Sequence, residues 1–220
     1  MTKGYLKMVK NLFFSLLLSS FSLFSHGYEL VPFENTYKSG NNSAIEKFTK
    51  TEDGYWLMES TIKHSLFSVE QQAKFSVEGQ KVILHSASRK IRALGGLRKE
   101  FQSFAINYDL KEVDFIFNRK KGKIKFSGDI YESLTLQIQA KFDVANMKVP
   151  FKKEYNFLNK GDLKLKIFEF SNEINEVKFQ ELRNDDKGFI IWFLPEKNLI
   201  TSKILQKGAL NLTWNLEPKL

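Results

Sequence analysis

The sequence predicts an all-β protein: a strongly curved antiparallel sheet or open β-barrel with one short helix, preceded by a signal peptide. Apolar and polar residues alternate with a period of two from Phe33 onward, which is typical of half-buried strands. Glycine-containing turn signals separate these runs at short spacing, as hairpins require. One segment, 129–146, breaks the alternation with apolar residues spaced by four, which indicates a helix.

Residues 1–27 have the three-part pattern of a secretory signal peptide. Three lysines lie in the first ten residues, an apolar stretch follows over 12–24, and small residues precede a cleavage point near Gly27. The apolar stretch is shorter than the roughly 20 residues that a membrane-spanning helix needs. We therefore expect a periplasmic protein released by cleavage, with an uncleaved N-terminal anchor as the alternative.

Charge and cysteine content limit the possible classes of protein. The 220 residues carry a net charge of +9, and removal of residues 1–27 takes away three lysines and no acids, which leaves +6. The chain contains no cysteine, which excludes a disulfide framework, a thiolate zinc site, a cysteine nucleophile and a lipidated N-terminal cysteine. A secreted protein also has no access to nucleic acid, so the basic charge is not assigned to it.

Residues 28–220 are predicted to form a single β-rich domain of roughly twelve strands, because neither a change in composition nor a serine- or proline-rich linker divides them. Turns are predicted at each of several glycines, and one of these predicted turns is Lys121-Gly122. Around Ile167 and Phe168 the apolar phase slips by one residue, which predicts a β-bulge or a strand end.

The predicted helix runs from Ser133 to Ala145, with Ser133 as its N-cap. Its apolar residues are Leu134, Ile138 and Phe142. We expect this helix to plug or flank the curved sheet and to divide the meander into two runs, the second starting at Pro150.

The order of these features resembles the DUF3108 family of bacterial periplasmic proteins. The similarity is carried by the opening Val31-Pro32-Phe33 with Tyr37 and Gly40, by Asp129-Ile130-Tyr131-Glu132-Ser133-Leu134 at the helix entry, and by Ile191-Trp192-Phe193-Leu194-Pro195 before the last strands. It extends over 28–217. The proline that the family places before its C-terminal strand is replaced here by Thr201-Ser202. The resemblance implies a periplasmic location and an open barrel, and it implies no reaction.

Catalytic chemistry is not predicted. His64 and His85 fall in different predicted strands without a metal-binding spacing, and the acidic pairs lie in predicted turns beside glycine. We therefore predict no enzyme activity, no catalytic residue, no metal ligand and no cofactor.

Phenylalanine is abundant, with 21 residues in the chain. A curved sheet lined by these rings predicts a site for a lipid or another apolar ligand. Packing of the core is the alternative role for the same rings. The predicted ligand-binding residues are Phe75, Phe101, Phe115, Phe117, Phe126, Phe142, Phe168, Phe170 and Trp192.

Two basic clusters lie near predicted hairpins and are candidates for contact with anionic headgroups or an acidic protein. The alternative is that their lysines protect sheet edges from pairing. The members are Arg89, Lys90, Arg92, Arg98, Lys99, Arg119, Lys120, Lys121 and Lys123.

The function expected from the sequence is non-enzymatic binding of an apolar or amphipathic envelope molecule in the Phe-lined sheet. The alternative is a scaffold or protein-binding module of envelope assembly that uses basic hairpins and sheet edges with an envelope protein as its partner. The oligomeric state is left open by the sequence.

Overall fold

The computed structural model describes residues 28–183, 185, 188–207 and 211–218, so the predicted signal peptide lies outside the described residues. One helix, α1, spans Ser133–Asn146. The strands are β1 Phe33–Ser39, β2 Asn42–Lys50, β3 Trp56–Lys63, β4 Phe67–Glu78, β5 Lys81–Ala93, β6 Arg98–Asn107, β7 Glu112–Phe117, β8 Lys120–Lys125, β9 Ile130–Tyr131, β10 Phe151–Asn159, β11 Asp162–Glu173, β12 Glu176–Glu181, β13 Gly188–Leu194, β14 Ile200–Lys207 and β15 Leu212–Leu216.

All of these strands belong to one sheet with the order β8-β7-β6-β5-β4-β3-β2-β1-β15-β14-β13-β12-β11-β10-β9. Neighbours pair antiparallel throughout, except that the two residues of β9 pair parallel to β10. The run before the helix and the run after it meet where β1 pairs with β15. The predicted fold class, a curved antiparallel sheet with one helix, is confirmed.

Alternation along each strand separates the inner face of the sheet from its outer face. In β2, Ala44, Glu46 and Phe48 are buried, whereas Ile45 and Lys47 between them are exposed. The buried set therefore lines the inside of the curved sheet, and it includes a carboxyl group.

The bulge predicted near Ile167 is wrong. β11 runs unbroken, and its pairing with β10 keeps one register across Ile167 and Phe168. Leu165 and Ile167 are exposed on the outer face, so the apolar alternation that they form in the sequence does not mark the buried face of β11. The register shifts lie instead after Lys74 and after Trp192.

The turn predicted at Lys121-Gly122 is also wrong. The turn between β7 and β8 is at Asn118, which has a left-handed φ of 55°, and Gly122 lies within β8. A Cβ on Gly122 would lie 2.7 Å from a ring carbon of Phe115. This glycine is therefore explained by the close approach of a ring and not by a turn.

The helix lies inside the curved sheet, as a plug. Ten consecutive residues from Leu134 to Asp143 are buried, although several of them are polar. Ser133 is not the N-cap as predicted. Glu132 caps the helix, because its Oε1 accepts hydrogen bonds from the backbone N–H groups of Leu134 at 2.9 Å and Thr135 at 2.7 Å.

Polar side chains of α1 fix its position against the sheet. Gln139 Oε1 accepts from the backbone N–H of Val82 at 2.9 Å, and Gln139 Nε2 donates to the Gln80 carbonyl at 3.1 Å. Asp143 accepts hydrogen bonds from Tyr155 and from Lys153, the latter at 2.7 Å. These contacts hold the C-terminal half of the helix at one end of the barrel.

The other end of the barrel, which we call the mouth, carries the β1–β2, β3–β4, β5–β6 and β7–β8 turns, because successive antiparallel strands reverse direction. The β10–β11 turn closes onto this end. The backbone N–H of Lys160 donates a hydrogen bond to Gln102 Oε1 at 3.0 Å, and its ammonium donates one to Glu100 Oε2 at 2.8 Å. A Cβ on Gly161 would lie 2.4 Å from the ring of Phe115. Side chains of β6 and β7 therefore hold the β10–β11 turn at the mouth, which brings the two ends of the sheet together.

Within the described residues, no helix has both the length and the apolar character to cross a membrane.

Candidate functional site

The mouth opens into a cavity of about 390 Å³, which we call the mouth cavity. Its wall comes from inward-facing side chains of β1–β5 and β10–β15, and Ser133 and Gln137 of α1 form its floor. The apolar lining residues are Ala44, Ile62, Phe67, Val69, Ile91, Phe157, Phe189, Ile191, Ile204 and Trp214. Strands from both runs of the meander therefore build one site.

Charged side chains also line the mouth cavity, four of them basic and two acidic; they are Glu46, Arg89, Lys166, Glu181, Arg183 and Lys207. Glu181 is buried and pairs with Lys166 at 3.0 Å and with Arg183 at 3.2 Å. Arg183 also pairs with Asp185 at 2.7 Å, and the hydrogen bond to Asp185 raises the pKa of the guanidinium. Arg89 pairs with Glu100 at 3.3 Å, so three of the four cations in the lining have a carboxylate partner.

Three buried polar atoms of the lining residues have no hydrogen-bond partner among the described residues: Arg89 Nε, Gln137 Oε1 and Trp214 Nε1. The other end of the Arg89 side chain is satisfied, because its Nη2 donates to Glu100 at 3.3 Å and to Asn159 at 3.2 Å. Leaving a buried polar atom unpaired costs about 1–3 kcal/mol. All three atoms belong to residues that line the mouth cavity, although each atom has almost no accessible surface of its own.

A buried polar cluster lies between the cavity and α1. Tyr37 Oη donates to Glu46 Oε2 at 3.0 Å. Burial raises the pKa of Glu46, while the nearby Lys141 ammonium opposes the rise. Burial lowers the pKa of Lys141 to about 8, and the ammonium lies 5.3 Å from the Phe33 ring centroid. The floor of the site is therefore close to two groups whose charged forms are disfavoured.

The predicted ligand-binding aromatic residues lie elsewhere. None of the nine is among the described residues that line the mouth cavity. Phe75, Phe168 and Phe170 are fully buried in the packed core, and Phe115, Phe126 and Phe142 are also buried there. Phe101 is exposed on the outer side, and Trp192 is held on the outer face by donating to Glu173 at 2.7 Å. Their proposed contact with a ligand stays a prediction, and packing accounts for the buried members.

The predicted basic residues divide into two groups. Arg89 points into the barrel and pairs with Glu100, so it is part of the cavity wall and not of an outer patch. Lys123 pairs on the outer side with Glu112 at 2.9 Å. The remaining seven are exposed, and no ion pair links them to another described residue: Lys90, Arg92, Arg98, Lys99, Arg119, Lys120 and Lys121.

His64 and His85 are not among the described residues that line the mouth cavity. His64 lies in the β3–β4 turn, not in a strand as predicted, and its ring stacks on Phe67. His85 lies in β5 and shares a 2.9 Å hydrogen bond with Ser76. Among the described residues, no group of three or more His, Cys, Asp or Glu side chains is arranged to hold a metal ion.

A larger groove of about 720 Å³ lies on the outer face of β3–β8. Small side chains form much of its base, among them Ser86, Ser88 and Ser103. None of the three unpaired buried atoms belongs to it. It therefore offers none of the unpaired polar groups found in the residues of the mouth cavity.

The comparisons with known proteins support the fold alone. No known family model matches the chain, and no curated protein matches it. The chain is similar to a solved structure described as a β-barrel-like protein of domain of unknown function DUF1849 from Brucella abortus, with a TM-score of 0.56 and 7% identity over 86% of this chain and 97% of that chain. The resemblance to DUF3108 therefore stays a prediction.

Proposed function

We propose that the protein is a non-enzymatic binder of an amphipathic molecule in the mouth cavity. The observation that carries this proposal is the set of three unpaired buried atoms, on Arg89, Gln137 and Trp214, around a single cavity. The volume of about 390 Å³ falls within the range of about 300–1,000 Å³ that is usual for small-molecule sites. A cavity whose wall combines apolar and charged side chains suits a ligand with both characters.

The chemistry of the unpaired atoms favours a particular headgroup. Arg89 Nε and Trp214 Nε1 are hydrogen-bond donors, and Gln137 Oε1 is an acceptor. A carboxylate or phosphate supplies acceptors for the two donors, and a hydroxyl or amide on the same molecule supplies a donor. Residues such as Ile62 and Ile204 favour an acyl or other apolar tail.

The periplasm is the proposed location, on the basis of the signal-peptide pattern of residues 1–27. Envelope lipids and their fragments are the amphipathic anions that a protein meets there. Binding of such a molecule requires no chemical reaction, so the proposal includes no catalytic residue.

The test is native mass spectrometry of protein purified from the periplasm, compared with two variants. Ala44→Phe places a ring into the mouth cavity, and Ala105→Phe places the same ring in the outer groove as a matched control. We expect a bound small molecule on the unmodified protein and on Ala105→Phe, and loss of most of it from Ala44→Phe, with both variants folded by circular dichroism.

Two results would contradict the proposal. One is protein that is consistently free of any small molecule, and the other is equal retention of the molecule by both variants. Ligand-free protein that carries an envelope protein through purification would instead favour the scaffold alternative, for which the free edge of β8 at the end of the sheet is the supporting feature.

A further inference from the structure

Three leucines project from two adjacent turns at the mouth. Leu97 is 91% exposed, Leu94 is 61% exposed and Leu66 is 49% exposed. The backbone N–H of Leu94 donates to the Leu66 carbonyl at 3.0 Å, so the β3–β4 and β5–β6 turns are held together. We call Leu66, Leu94 and Leu97 the leucine tip. An isolated exposed leucine is ordinary, but three on one protrusion mark a surface that meets an apolar partner.

Basic residues surround the leucine tip. The stretch from Arg89 to Lys99 contains five basic residues and no acidic one. Lys90, Arg92, Arg98 and Lys99 are exposed on the strands that flank the tip. The basic β7–β8 turn is next to them, because Asn118 donates from its backbone N–H to the Phe101 carbonyl at 2.8 Å. Leucines in front of a belt of cations match a membrane interface, where the apolar groups enter the acyl region and the cations meet phosphates.

The protection of sheet edges by lysine explains part of this charge but not the leucines. Lysines on the terminal strand β8 discourage pairing with another sheet. Leu94 instead begins a 3-10 turn beyond the strands and Leu97 directly follows it, so neither protects an edge. A turn that only reversed the chain would be expected to expose polar residues there.

The leucine tip also lies at the rim of the mouth cavity. Phe67, directly after Leu66, and Ile91, three residues before Leu94, both line that cavity. A tip inserted in a bilayer would therefore bring the cavity opening to the lipid surface.

We propose that the leucine tip and its flanking basic residues dock the protein on an anionic lipid bilayer, mouth first. This surface acts independently of whether the mouth cavity holds a ligand. Charge complementarity selects the partner, because a cationic belt is attracted to anionic headgroups and not to a neutral lipid surface.

The experiment is cosedimentation of the periplasmically purified protein with vesicles of phosphatidylglycerol and phosphatidylcholine, and with vesicles of phosphatidylcholine alone. The variants are Leu94→Ser with Leu97→Ser, Arg98→Gln with Lys99→Gln, and Ile174→Ser as the matched control. Ile174 is also 91% exposed, but it lies in the β11–β12 turn at the opposite end of the barrel. All variants share one N-terminus, so differences between them report only on the exchanged residues.

We expect the unmodified protein and Ile174→Ser to bind the anionic vesicles equally and the neutral vesicles weakly. The double serine variant should lose at least about tenfold in the partition coefficient. The double glutamine variant should lose about fivefold for each charge, and only on anionic vesicles. The Ala44→Phe variant should bind vesicles normally, which keeps this proposal separate from ligand binding in the cavity.

Equal vesicle binding by the tip variants and by Ile174→Ser would overturn the proposal. So would equal binding of the unmodified protein to neutral and anionic vesicles. A tip that binds no vesicle but is required for retention of an envelope protein would show that its partner is a protein and not a membrane.

Discussion

Replacing Lys141 with methionine tests how strongly the interior of the barrel disfavours a charged group. Methionine keeps the length of the side chain and removes the ammonium. In the folded protein, burial lowers the pKa of Lys141 from 10.5 to about 8, although Glu46 nearby opposes the shift. At about 1.4 kcal/mol per pKa unit, the difference of the two values means that the charged form is destabilised by about 3 kcal/mol on folding.

The sign of the pH dependence follows from the order in which the folded and unfolded states lose the proton. At pH values below 8, Lys141 is protonated in both states, and the full penalty of about 3 kcal/mol is present. As the pH rises above 8, the folded state loses the proton first, so the unfolded state binds more protons and the free energy of unfolding increases. Between about pH 8 and about pH 9.5 this gain amounts to about 1.5 kcal/mol.

The upper limit of the useful pH range is set by tyrosine. Burial raises the pKa of Tyr28 and of Tyr37, so the folded state keeps those protons when the unfolded state begins to lose them. Stability then falls above about pH 10, which would hide the gain from Lys141.

The assay is urea denaturation of the unmodified protein and of Lys141→Met at several pH values from about 7 to about 9.5. Lys47→Met is the matched control, because Lys47 is exposed on the outer face of β2 next to Glu46. Relative to Lys141→Met, the unmodified protein should gain about 2 kcal/mol over this range, of which about 1.5 kcal/mol comes above pH 8, whereas its difference from Lys47→Met should stay constant. A constant difference from Lys141→Met as well would refute the reasoning.

Three further predictions concern closure, capping and the core, each measured by chemical denaturation. Gly161→Ala should cost about 2–4 kcal/mol, because its Cβ would meet the Phe115 ring, whereas Gly40→Ala, which meets nothing within 4 Å, should cost only about 1 kcal/mol; equal costs would contradict this closure. Glu132→Ala should cost about 1–2 kcal/mol through loss of the helix cap, and an unchanged midpoint would contradict that role. Phe168→Ala should cost about 3–5 kcal/mol yet leave ligand binding by the folded fraction unchanged, and a selective loss of binding would restore Phe168 as a ligand contact.

The local signals of the sequence were sufficient for the fold class. Alternation and turn glycines predicted an antiparallel meander, and the spacing of Leu134, Ile138 and Phe142 predicted the helix within one residue at each end. The errors came from residues whose neighbours decide their role. Gly122 indicated a turn but accommodates the Phe115 ring, and exposed Ile167 resembled a core residue.

The mouth cavity was not predictable, because it depends on the distant pairing of β1 with β15 and on the helix inside the sheet. A signal was nevertheless present. Glu46 and Glu181 are acidic residues, and their neighbours on the same face of the strand are buried apolar residues. Lys166 likewise precedes Phe168 on the inner face of β11. These charged residues at inward-facing strand positions all line the mouth cavity. In the sequence alone they look like ordinary interruptions of the apolar pattern of a strand.

The polar residues of α1 explain why the helix gave no hint of a buried site. Gln137, Gln139 and Lys141 are polar residues of the kind that an amphipathic helix ordinarily exposes to solvent. Here all three are buried, because the sheet surrounds the helix and supplies partners such as the backbone of Val82.

A crystal structure of the protein as purified from the periplasm tests the central claim most directly. We predict continuous density for a small amphipathic molecule in the mouth cavity, with polar atoms about 3 Å from Arg89 Nε, Gln137 Oε1 and Trp214 Nε1. A mouth cavity that holds only ordered water, with those three atoms paired to it, would contradict the claim.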